Sequence, residues 1–526
     1  MSESSKIEER KDKLKSWLKN KENIFLLLLI SFAIIYRLYY FLKLGQQPIW
    51  WDEGDYLAVS KVWATGMSTP EWWGHFTGMR PLLLPLVWTL FFKLGLGELG
   101  VRFFTLLLPS ILAIYFVYAV GREIYDKRIG LIAAFMLSVY WTFTFYTYRL
   151  LTDIPATLFG LISIYFFYKG YIKENKQSGL YLCFLFGILA FSTRFPLALI
   201  LMTCMIFLLF IKKLSLFKEK SFWKGVLVFL LIASPFIVYV ALNKFYFIWF
   251  YFINGLGGLI ATGQPFGFYI FGLSISLLEV TWAIAFFLGS LTFYKLFVGF
   301  DIFWKQEDKS INSDFFIALW IILQFIFYVF VFRSANDRWI IMLTIPMFFV
   351  ASKGISYIYD IAKKYSAIIS AVILIAFLAI GAYQHIQHAS LLIEQKKESY
   401  REIQLAGEWL KENSPEDAKI ITASIVQNQY YSERDSYDFY TNDSIWKSCI
   451  DFYGNLNTNE SCQQETEKAF IENKLNRINP NYMIVSIFEP VFTPQWAYSY
   501  PERHNMTAVQ AYFDNKNQPL LVIYKF

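Results

Sequence analysis

Long apolar runs recur from Ile24 to Ala382 and limit what this chain can fold into. A helix needs about 20 apolar residues to cross the hydrocarbon core of a bilayer, and runs of that size repeat here. Hydrophobic residues make up 56% of the 526 residues and aromatic residues 20%, more than a soluble domain usually carries. The pattern predicts a multi-pass α-helical membrane protein.

About eleven spans fit the sequence, preceded by an N-terminal tail at 1–23. The first run follows a basic stretch but lacks a small-residue cleavage site, so we read it as a retained span and not as a signal peptide. The predicted spans are 24–43, 102–121, 129–147, 153–171, 179–193, 195–212, 223–243, 268–294, 314–332, 337–357 and 366–384. Together they form a membrane domain at 24–384 that contains a first outer loop at 44–101.

Basic residues set the orientation of these spans. Positively charged loops stay on the cytoplasmic side, and five loops after the second span are rich in Lys and Arg. Those residues include Arg122, Lys127, Arg128, Lys169, Lys173, Lys176, Lys212, Lys213, Lys218, Lys220, Lys224, Lys295, Lys305, Lys309, Lys353, Lys363 and Lys364. They face the cytoplasm only if Pro81–Leu96 lies at the interface instead of spanning. The net charge of +7 therefore reflects topology, and we expect no nucleic-acid partner.

The composition changes after the last predicted span, and residues 385–526 are polar. Helical spacing of apolar residues at 399–410 and three strand-like stretches at 419–426, 482–488 and 520–526 predict an α/β domain. The topology places this domain outside the cytoplasm. A disulfide between Cys449 and Cys462 is predicted there, because such bonds persist in oxidising compartments.

Carboxylates and arginines gather on the predicted outer face. The first loop contains Asp52, Glu53 and Asp55 beside tryptophans, and Arg80 before the apolar segment. Arg149 and Asp153 lie at the outer end of the fourth span, and Arg333, Asp337 and Arg338 lie between the ninth and tenth spans. Each position also has a plain structural explanation: solvated acids after a span, a snorkelling or anchoring Arg, or a helix cap at Asp153.

This set of charges suits sugar transfer from a lipid phosphate. Arg binds phosphate oxygens with bidentate geometry. A carboxylate can take the proton of an acceptor hydroxyl, and positive charge stabilises the leaving phosphate. The sequence therefore favours a glycosyltransferase whose site faces outward.

The order of motifs resembles the GT-C superfamily, in particular the protein O-mannosyltransferase and aminoarabinose transferase group. The segments that carry the resemblance are WWDEGDY, MRPLLLPLVWTLFFKLG, YRLLTDIPATLF and DRWIIMLTIPMFF, within about residues 20–385. The C-terminal segments AGEWLKENSP and YYSER are similar to the tail of archaeal members.

The resemblance implies inverting transfer from a polyprenyl- or dolichyl-phosphate sugar in the plasma membrane. Asp52 takes the place of the catalytic carboxylate, with Glu53 beside it, and Asp153 matches an acidic residue at the fourth span. Arg80 matches the basic residue that contacts the lipid phosphate, and Arg338 matches a late basic residue more loosely. With Arg149, these complete the predicted site, for which we expect no cofactor and no bound metal. The acceptor is a glycan, protein or lipid.

Two other functions remain open from the sequence. One is an oligosaccharyltransferase-type enzyme with a metal and a lipid-diphosphate donor. The other is a lipid or polysaccharide transporter without catalysis. Transporters place ionisable residues near the bilayer midplane, whereas the middles of the predicted spans carry few charges, mainly Glu279. This distribution argues against transport.

The distribution of Lys and Arg predicts a cytoplasmic N-terminus and an external C-terminal domain. A cysteine placed at Ser4 should be protected from a membrane-impermeant thiol reagent added to intact cells. One placed in the C-terminal segment, for example at Ser432, should be accessible. Labelling of both ends from the same side would contradict an odd number of spans.

Overall fold

The computed structural model describes residues 19–69, 80–242, 271–298, 309–331, 337–441, 444–449, 459–490 and 492–526. The chain divides into two compact units. The first comprises Met1–Gly45 and Val101–Glu394, and the second comprises Gln46–Gly100 and Gln395–Phe526. The first outer loop, predicted as part of the membrane domain at 24–384, is thus grouped with the C-terminal segment.

The first unit is built of helices. Its α-helices are Lys21–Leu44, Glu98–Arg102 (which begins in the second unit), Leu108–Ile124, Lys127–Val139, Trp141–Tyr146, Asp153–Tyr165, Gln177–Thr193, Ala198–Lys212, Lys220–Leu242, Leu273–Leu291, Tyr294–Val298, Lys309–Ile326, Ile341–Lys363 and Ala367–Lys396. Several are extended by π-helical segments, at Phe103–Leu107, Phe166–Lys173 and Phe327–Val331, or by 3₁₀-helical segments, at Phe195–Leu197 and Lys213–Lys218.

Eight helical segments in the described part of the chain are long and apolar enough to cross a membrane. They are Lys21–Leu44, Glu98–Ile124, Phe195–Lys218, Lys220–Tyr239, Leu273–Leu291, Ile311–Phe330, Ile341–Lys363 and Ala367–Asn413. Each corresponds to one predicted span. The other predicted spans, 129–147, 153–171 and 179–193, are also helical but too short, interrupted or polar to meet the same criterion.

The predicted span at 129–147 is interrupted rather than continuous. The Lys127–Val139 helix ends at Tyr140, whose ψ of 123° is extended, and a second helix starts at Trp141. The Leu273–Leu291 helix is likewise broken at Glu279, with φ 53° and ψ 172°. A break frees backbone carbonyls that apolar surroundings cannot satisfy. Here Trp141 Nε1 donates to the Ser276 carbonyl at 3.3 Å.

Two histidines on the Ala367–Lys396 helix complete the contacts at these breaks. His385 Nε2 lies 3.2 Å from the Leu278 carbonyl, and His388 Nδ1 lies 2.7 Å from Glu279 Oε1. The ring of His388 also stacks on Trp141 with centroids 4.1 Å apart. These side chains supply partners where the regular helix pattern is lost.

Arg37 is an ionisable residue within the first helix that the apolar pattern did not single out. Its side chain is fully buried, and it donates to Ser110 Oγ at 3.0 Å and to the Ser138 carbonyl at 2.8 Å. The expectation that Glu279 is the main charge inside the spans is therefore wrong. Both contacts hold neighbouring helices together, which gives Arg37 a packing role.

The second unit contains a five-stranded sheet in the order β2-β1-β3-β5-β4. The strands are β1 (Lys419–Ile421), β2 (Asp435–Tyr437), β3 (Tyr482–Ser486), β4 (Thr507–Phe513) and β5 (Pro519–Lys525). β1 pairs in parallel with β2 and β3, while β5 pairs antiparallel with β3 and β4. β1, β3 and β5 correspond to the predicted strands. The two missed strands form the edges, where less apolar surface is buried and the sequence signal is weaker.

Helices cover both faces of this sheet. The helices of the second unit are Trp51–Thr65, Leu83–Lys93, Arg401–Asn413, Ile425–Ser432, Ser444–Cys449, Glu460–Phe470, Asn476–Ile478 and Gln495–Arg503, with a π-helical segment at Ile471–Leu475. One core joins the Arg401–Asn413 helix to Ile420, Ile484 and Ile523. The other places Ile421 and Met483 against aromatic residues of the opposite layer. Alternating strand residues therefore face two separate cores, as the pleat requires.

The predicted strand at 419–426 is shorter than expected. β1 stops at Ile421, and the Ile425–Ser432 helix begins four residues later. The Asn428 amide donates to the Ser424 carbonyl at 2.9 Å, which closes the first helical turn. The apolar residues Ile425 and Val426 belong to that helix, where they pack on Ala58 and Val59 of the Trp51–Thr65 helix.

Pro81–Leu96 contains a short helix, Leu83–Lys93, of 11 residues. Such a helix is about 16 Å long, too short for a hydrocarbon core of about 30 Å. Ser60 Oγ donates to the Pro85 carbonyl at 3.2 Å, and the rings of Tyr56 and Trp88 meet edge to face at 6.3 Å. The segment is thus held against the Trp51–Thr65 helix.

Cys449 and Cys462 are joined by a disulfide, as the sequence predicts. Cys183 and Cys204 are buried and free. Ser432 is fully buried, so the exposed Lys516 is a better position for a labelling cysteine in this unit.

Gly407 allows the Arg401–Asn413 and Ile425–Ser432 helices to approach closely. A Cβ at this position would lie 2.5 Å from Tyr431 Cβ and 3.3 Å from the Ser432 amide nitrogen. Replacing Gly by Ala in a helix gains about 1 kcal/mol of propensity. Overpacking against rigid atoms costs about 1–3 kcal/mol, so we expect Gly407→Ala to destabilise this unit overall. Thermal unfolding of the purified protein would measure the effect.

The exposed residue Glu412 on the same helix offers a control. Glu412→Ala should leave the stability within about 0.5 kcal/mol of wild type. A Gly407→Ala protein that unfolds at or above the wild-type temperature would show that the two helices can separate without cost.

Candidate functional site

Asp52 and Asp55 project from the same face of the Trp51–Thr65 helix, because residues three apart in a helix are neighbours. Asp52 occupies the first turn, where the positive end of the helix dipole stabilises a carboxylate. The two side chains differ in access to solvent. Asp52 is 25% exposed and Asp55 only 1%.

Arg80 bridges the two carboxylates. Its Nη2 lies 2.9 Å from Asp52 Oδ1 and 2.7 Å from Asp55 Oδ2. The guanidinium carbon also lies 5.6 Å from the ring centroid of Tyr56, the next residue on the helix. With both acids ionised, the three side chains carry a net charge of −1. We call Asp52, Asp55 and Arg80 the carboxylate–arginine triad.

Burial changes the acidity of the inner carboxyl. It raises the pKa of Asp55 from 3.8 to about 7, while the charge of Arg80 opposes the rise and that of Asp52 adds to it. A buried carboxylate is costly without a positive partner, and Arg80 supplies one. The triad therefore combines an accessible carboxylate with one that gains a proton near neutral pH.

Glu53, the second acid of the motif, is fully buried. Its Oε2 accepts the Trp50 backbone amide at 2.6 Å, so the side chain helps to begin the helix that presents Asp52. Trp51, at the start of the same helix, stacks on Phe492 with ring centroids 5.1 Å apart. These contacts fix the first turn of the helix.

The first unit holds a separate group of charges. Asp153, 2% exposed, is the first residue of its helix, and its Oδ1 lies 2.9 Å from Arg194 Nη1. The Tyr146 hydroxyl lies 3.4 Å from Asp337 Oδ2. The charges of Arg338 and Asp153 both act on Asp337. Asp153, Asp337 and Arg338 therefore form one electrostatic group.

Arg149 is buried in the turn that precedes Asp153. Its backbone carbonyl accepts the Leu151 amide at 2.7 Å. The predicted site residues therefore fall into two groups: Asp52, Glu53 and Arg80 in the second unit, and Arg149, Asp153 and Arg338 in the first.

Two participants were absent from the predicted site. Asp55 stands in the WWDEGDY motif, and its spacing from Asp52 could have revealed it. Arg194 lies in the sequence STRFP between two predicted spans, at an outer boundary of the proposed topology. A single Arg between apolar runs is also typical of a membrane anchor, so this signal was weak.

The titration of Asp55 predicts a specific pH dependence of stability. An acid whose pKa is raised by folding stabilises the protein at low pH, and that contribution is lost as pH rises through about 4 to 7. Asp55→Asn removes the titration. The free energy of unfolding of the variant minus that of wild type should therefore rise by about 1–3 kcal/mol from pH 5 to pH 8.

Thermal unfolding at both pH values would measure this difference. The effect of Arg80 is already contained in the pKa of Asp55, so only the difference between Asn and the protonated acid adds an offset, and that offset is nearly independent of pH. Asp417→Asn, which changes an exposed acid of the same unit, serves as the control. Burial also raises the pKa of Glu489 to about 7, but this titration is common to all three proteins. If the stability of Asp55→Asn differed from that of wild type by the same amount at pH 5 and pH 8, the prediction would be contradicted.

Sequence comparison finds a family match over part of the chain. Residues 79–239 match the family described as dolichyl-phosphate-mannose-protein mannosyltransferase. An uncharacterised protein of Aquifex aeolicus is 26% identical over 314 residues. That match spans 58% of this chain and 58% of the relative's length.

Several solved structures share the fold. ArnT from Cupriavidus metallidurans bound to undecaprenyl phosphate superimposes with a TM-score of 0.62 at 15% identity, covering 95% of this chain and 97% of that chain. AglB from Archaeoglobus fulgidus, an oligosaccharyltransferase in complex with an inhibitory peptide and a dolichol-phosphate, gives 0.57 at 14% identity, covering 94% and 73%. The arabinofuranosyltransferase AftD from mycobacteria gives 0.58 at 11% identity, covering 94% and 39%.

These similarities agree with the predicted multi-pass helical fold. The partial family match and the shared architecture show that the chain is similar in fold to membrane glycosyltransferases of the mannosyltransferase and aminoarabinose transferase kind, as the resemblance to the GT-C superfamily implies.

Proposed function

We propose that this protein transfers a sugar from a polyprenyl- or dolichyl-phosphate donor to an acceptor hydroxyl, with inversion at the anomeric carbon. The observation that carries the proposal is the contact between Asp52 and Arg80 at 2.9 Å. It joins an accessible carboxylate to a cation suited to phosphate, in a chain whose fold is similar to that of ArnT and AglB. The family match and the lipid phosphates in the ArnT and AglB structures support the choice of donor.

Asp52 acts as the general base in this proposal. The acceptor oxygen attacks the anomeric carbon while its proton passes to Asp52. The bond between that carbon and the phosphate oxygen breaks, and the polyprenyl phosphate leaves with the electron pair. Single displacement inverts the configuration. The 25% exposure of Asp52 leaves an approach for the hydroxyl, which the buried Asp55 lacks.

Arg80 holds the donor phosphate and stabilises the charge that develops as the bond breaks. A guanidinium has five N–H donors in a planar fork, so it can contact carboxylates and phosphate oxygens together. This role is present in both the ground state and the transition state. Glu53 supports the base indirectly, since it caps the helix that positions Asp52.

Asp153, Arg149 and Arg338, the charged residues of the first unit, are proposed as functional residues on the ground of the family resemblance. Arg149 and Arg338 carry positive charge suited to a phosphate, and Asp153 would orient the groups around it. Arg194 is added to this set because it pairs with Asp153 at 2.9 Å. Asp153 is buried, and the positive charge of Arg194 offsets the cost of burying its carboxylate.

The disulfide supports an external location for the triad. Disulfides persist in oxidising compartments and are rare in the cytosol. Cys449, Cys462, Asp52 and Arg80 all belong to the second unit. A unit that faces the outside with its disulfide carries the triad to the same side, in agreement with the charge distribution of the loops.

An oligosaccharyltransferase-type reaction is the second candidate, because the fold is also shared with AglB. That reaction would use a lipid-diphosphate donor and a metal. Among the residues that the structure describes, no group of three or more His, Cys, Asp or Glu side chains is placed to hold a metal. Assays with monophosphate and diphosphate donors, each with and without a chelator, distinguish the two reactions.

We expect Asp52→Asn to abolish transfer while the protein remains folded and inserted. Losing a positioned general base costs about 10²–10⁴-fold in rate. The measurement is sugar transfer by reconstituted protein supplied with polyprenyl-phosphate sugars and membrane extract as acceptor. Asp417→Asn, an exposed acid in the same unit, should keep wild-type turnover.

Arg80→Ala should instead weaken both donor binding and turnover, since the phosphate is present before and during the reaction. Arg477→Ala, at an exposed position, controls for loss of one positive charge.

Near-normal turnover by Asp52→Asn would refute the base assignment. Absence of transfer by wild type with every donor would favour the transporter hypothesis.

A further inference from the structure

Asp55 is a buried acid that the proposed reaction does not use. It is 1% exposed and its Oδ2 contacts Arg80 at 2.7 Å, slightly closer than the 2.9 Å contact from Asp52. Arg80 Nη2 makes both contacts, so neither contact can change without affecting the other. A cation held between two carboxylates three residues apart has little freedom to move.

We propose that Asp55 is a positioning residue that anchors Arg80 for the donor phosphate and keeps Asp52 from pairing with Arg80 alone. This inference rests on the proposed function. It assigns Asp55 no contact with substrate, because its side chain lies beneath the surface on which Asp52 is exposed.

Anchoring follows from the difference in burial. Ion pairs between exposed side chains are weak, because solvent screens them and two long side chains must be ordered. Asp52 and Arg80 are 25% and 27% exposed, so their contact alone would hold Arg80 loosely. Asp55 is shielded from water and sits on a rigid helix, which makes its contact the more persistent one.

Sharing also protects the basicity of Asp52. A nearby cation lowers the proton affinity of a carboxylate, and a nearby anion raises it. With Asp55 ionised, the positive charge of Arg80 is divided between two acids. Without Asp55, Arg80 would lose one of these two carboxylate contacts, its charge would act more strongly on Asp52, and Asp52 would become a weaker base. One residue thus influences donor binding through Arg80 and proton transfer through Asp52.

A double-mutant cycle tests whether Asp55 acts through Arg80. Wild type, Asp55→Asn, Arg80→Ala and the double variant would be assayed at pH 8, where Asp55 in the folded protein is mainly ionised. The donor KM, for a polyprenyl-phosphate sugar, and the turnover rate would be measured separately. Asp55→Asn is nearly isosteric and removes a buried charge, and Asp55→Ser gives a second variant if the first folds poorly.

We expect Asp55→Asn to raise the donor KM about 10-fold and to slow turnover by only a few-fold. In the Arg80→Ala background the same substitution should change the donor KM less than about 2-fold, because its partner is gone. Asp438→Asn removes the acid of a different buried pair, with Lys474, in the same unit. This control should lower stability without changing the donor KM.

Two results would overturn the inference. Equal effects of Asp55→Asn with and without Arg80 would mean that the two residues act independently. Turnover slowed by about 10²-fold or more, with the donor KM unchanged, would mean that Asp55 is itself the base. Wild-type transfer is measured in the same series, so loss of the proposed function as a whole would be seen separately, as wild-type inactivity with all donors.

Discussion

The close packing of the Trp51–Thr65 helix on the Ile425–Ser432 helix determines where the acidic motif stands. Gly54 lies in this contact, and a Cβ there would meet Val426 Cγ1 at 3.1 Å. Ala58 and Val59 continue the contact along the helix. Gly54 lies between Glu53 and Asp55 in the sequence. The same helical turn therefore provides the packing contact with Val426 and carries the carboxylates.

The two carboxylates beside this contact differ in burial. Asp55 is removed from water, while Asp52, one helical turn earlier, stays partly exposed. Arg80 is 27% exposed and meets both acids, so one guanidinium joins a solvated carboxylate to a desolvated one. The contrast gives two chemically identical side chains different access to water, and in the proposed mechanism one serves as the base while the other fixes the cation.

The first unit uses the same principle of local compensation for buried polar groups. Breaks at Tyr140 and Glu279 are supplied with partners from neighbouring helices, and Arg37 bonds to Ser110 and to a backbone carbonyl. A polar group in apolar surroundings must find its partner within the protein. The Asp153–Arg194 pair meets that requirement at a helix start.

The sequence by itself determined the class of fold, since the length and spacing of apolar runs leave few options other than membrane helices. It also indicated the C-terminal strands β1, β3 and β5, the Cys449–Cys462 pair and the acidic motif after the first helix. These features depend on local composition and period, which a linear pattern records. It did not separate a solvated acid from a buried one.

Only the tertiary structure decided which charges meet. Asp55 and Asp52 look alike in sequence, yet in the folded protein Asp55 is 1% exposed and Asp52 is 25% exposed. Arg194 became a partner of Asp153 because two helix ends coincide in space. The edge strands and the helix breaks were likewise invisible, because they depend on neighbours along the sheet and across the bundle. Burial and ion pairing are properties of distant contacts, and a local pattern does not contain them.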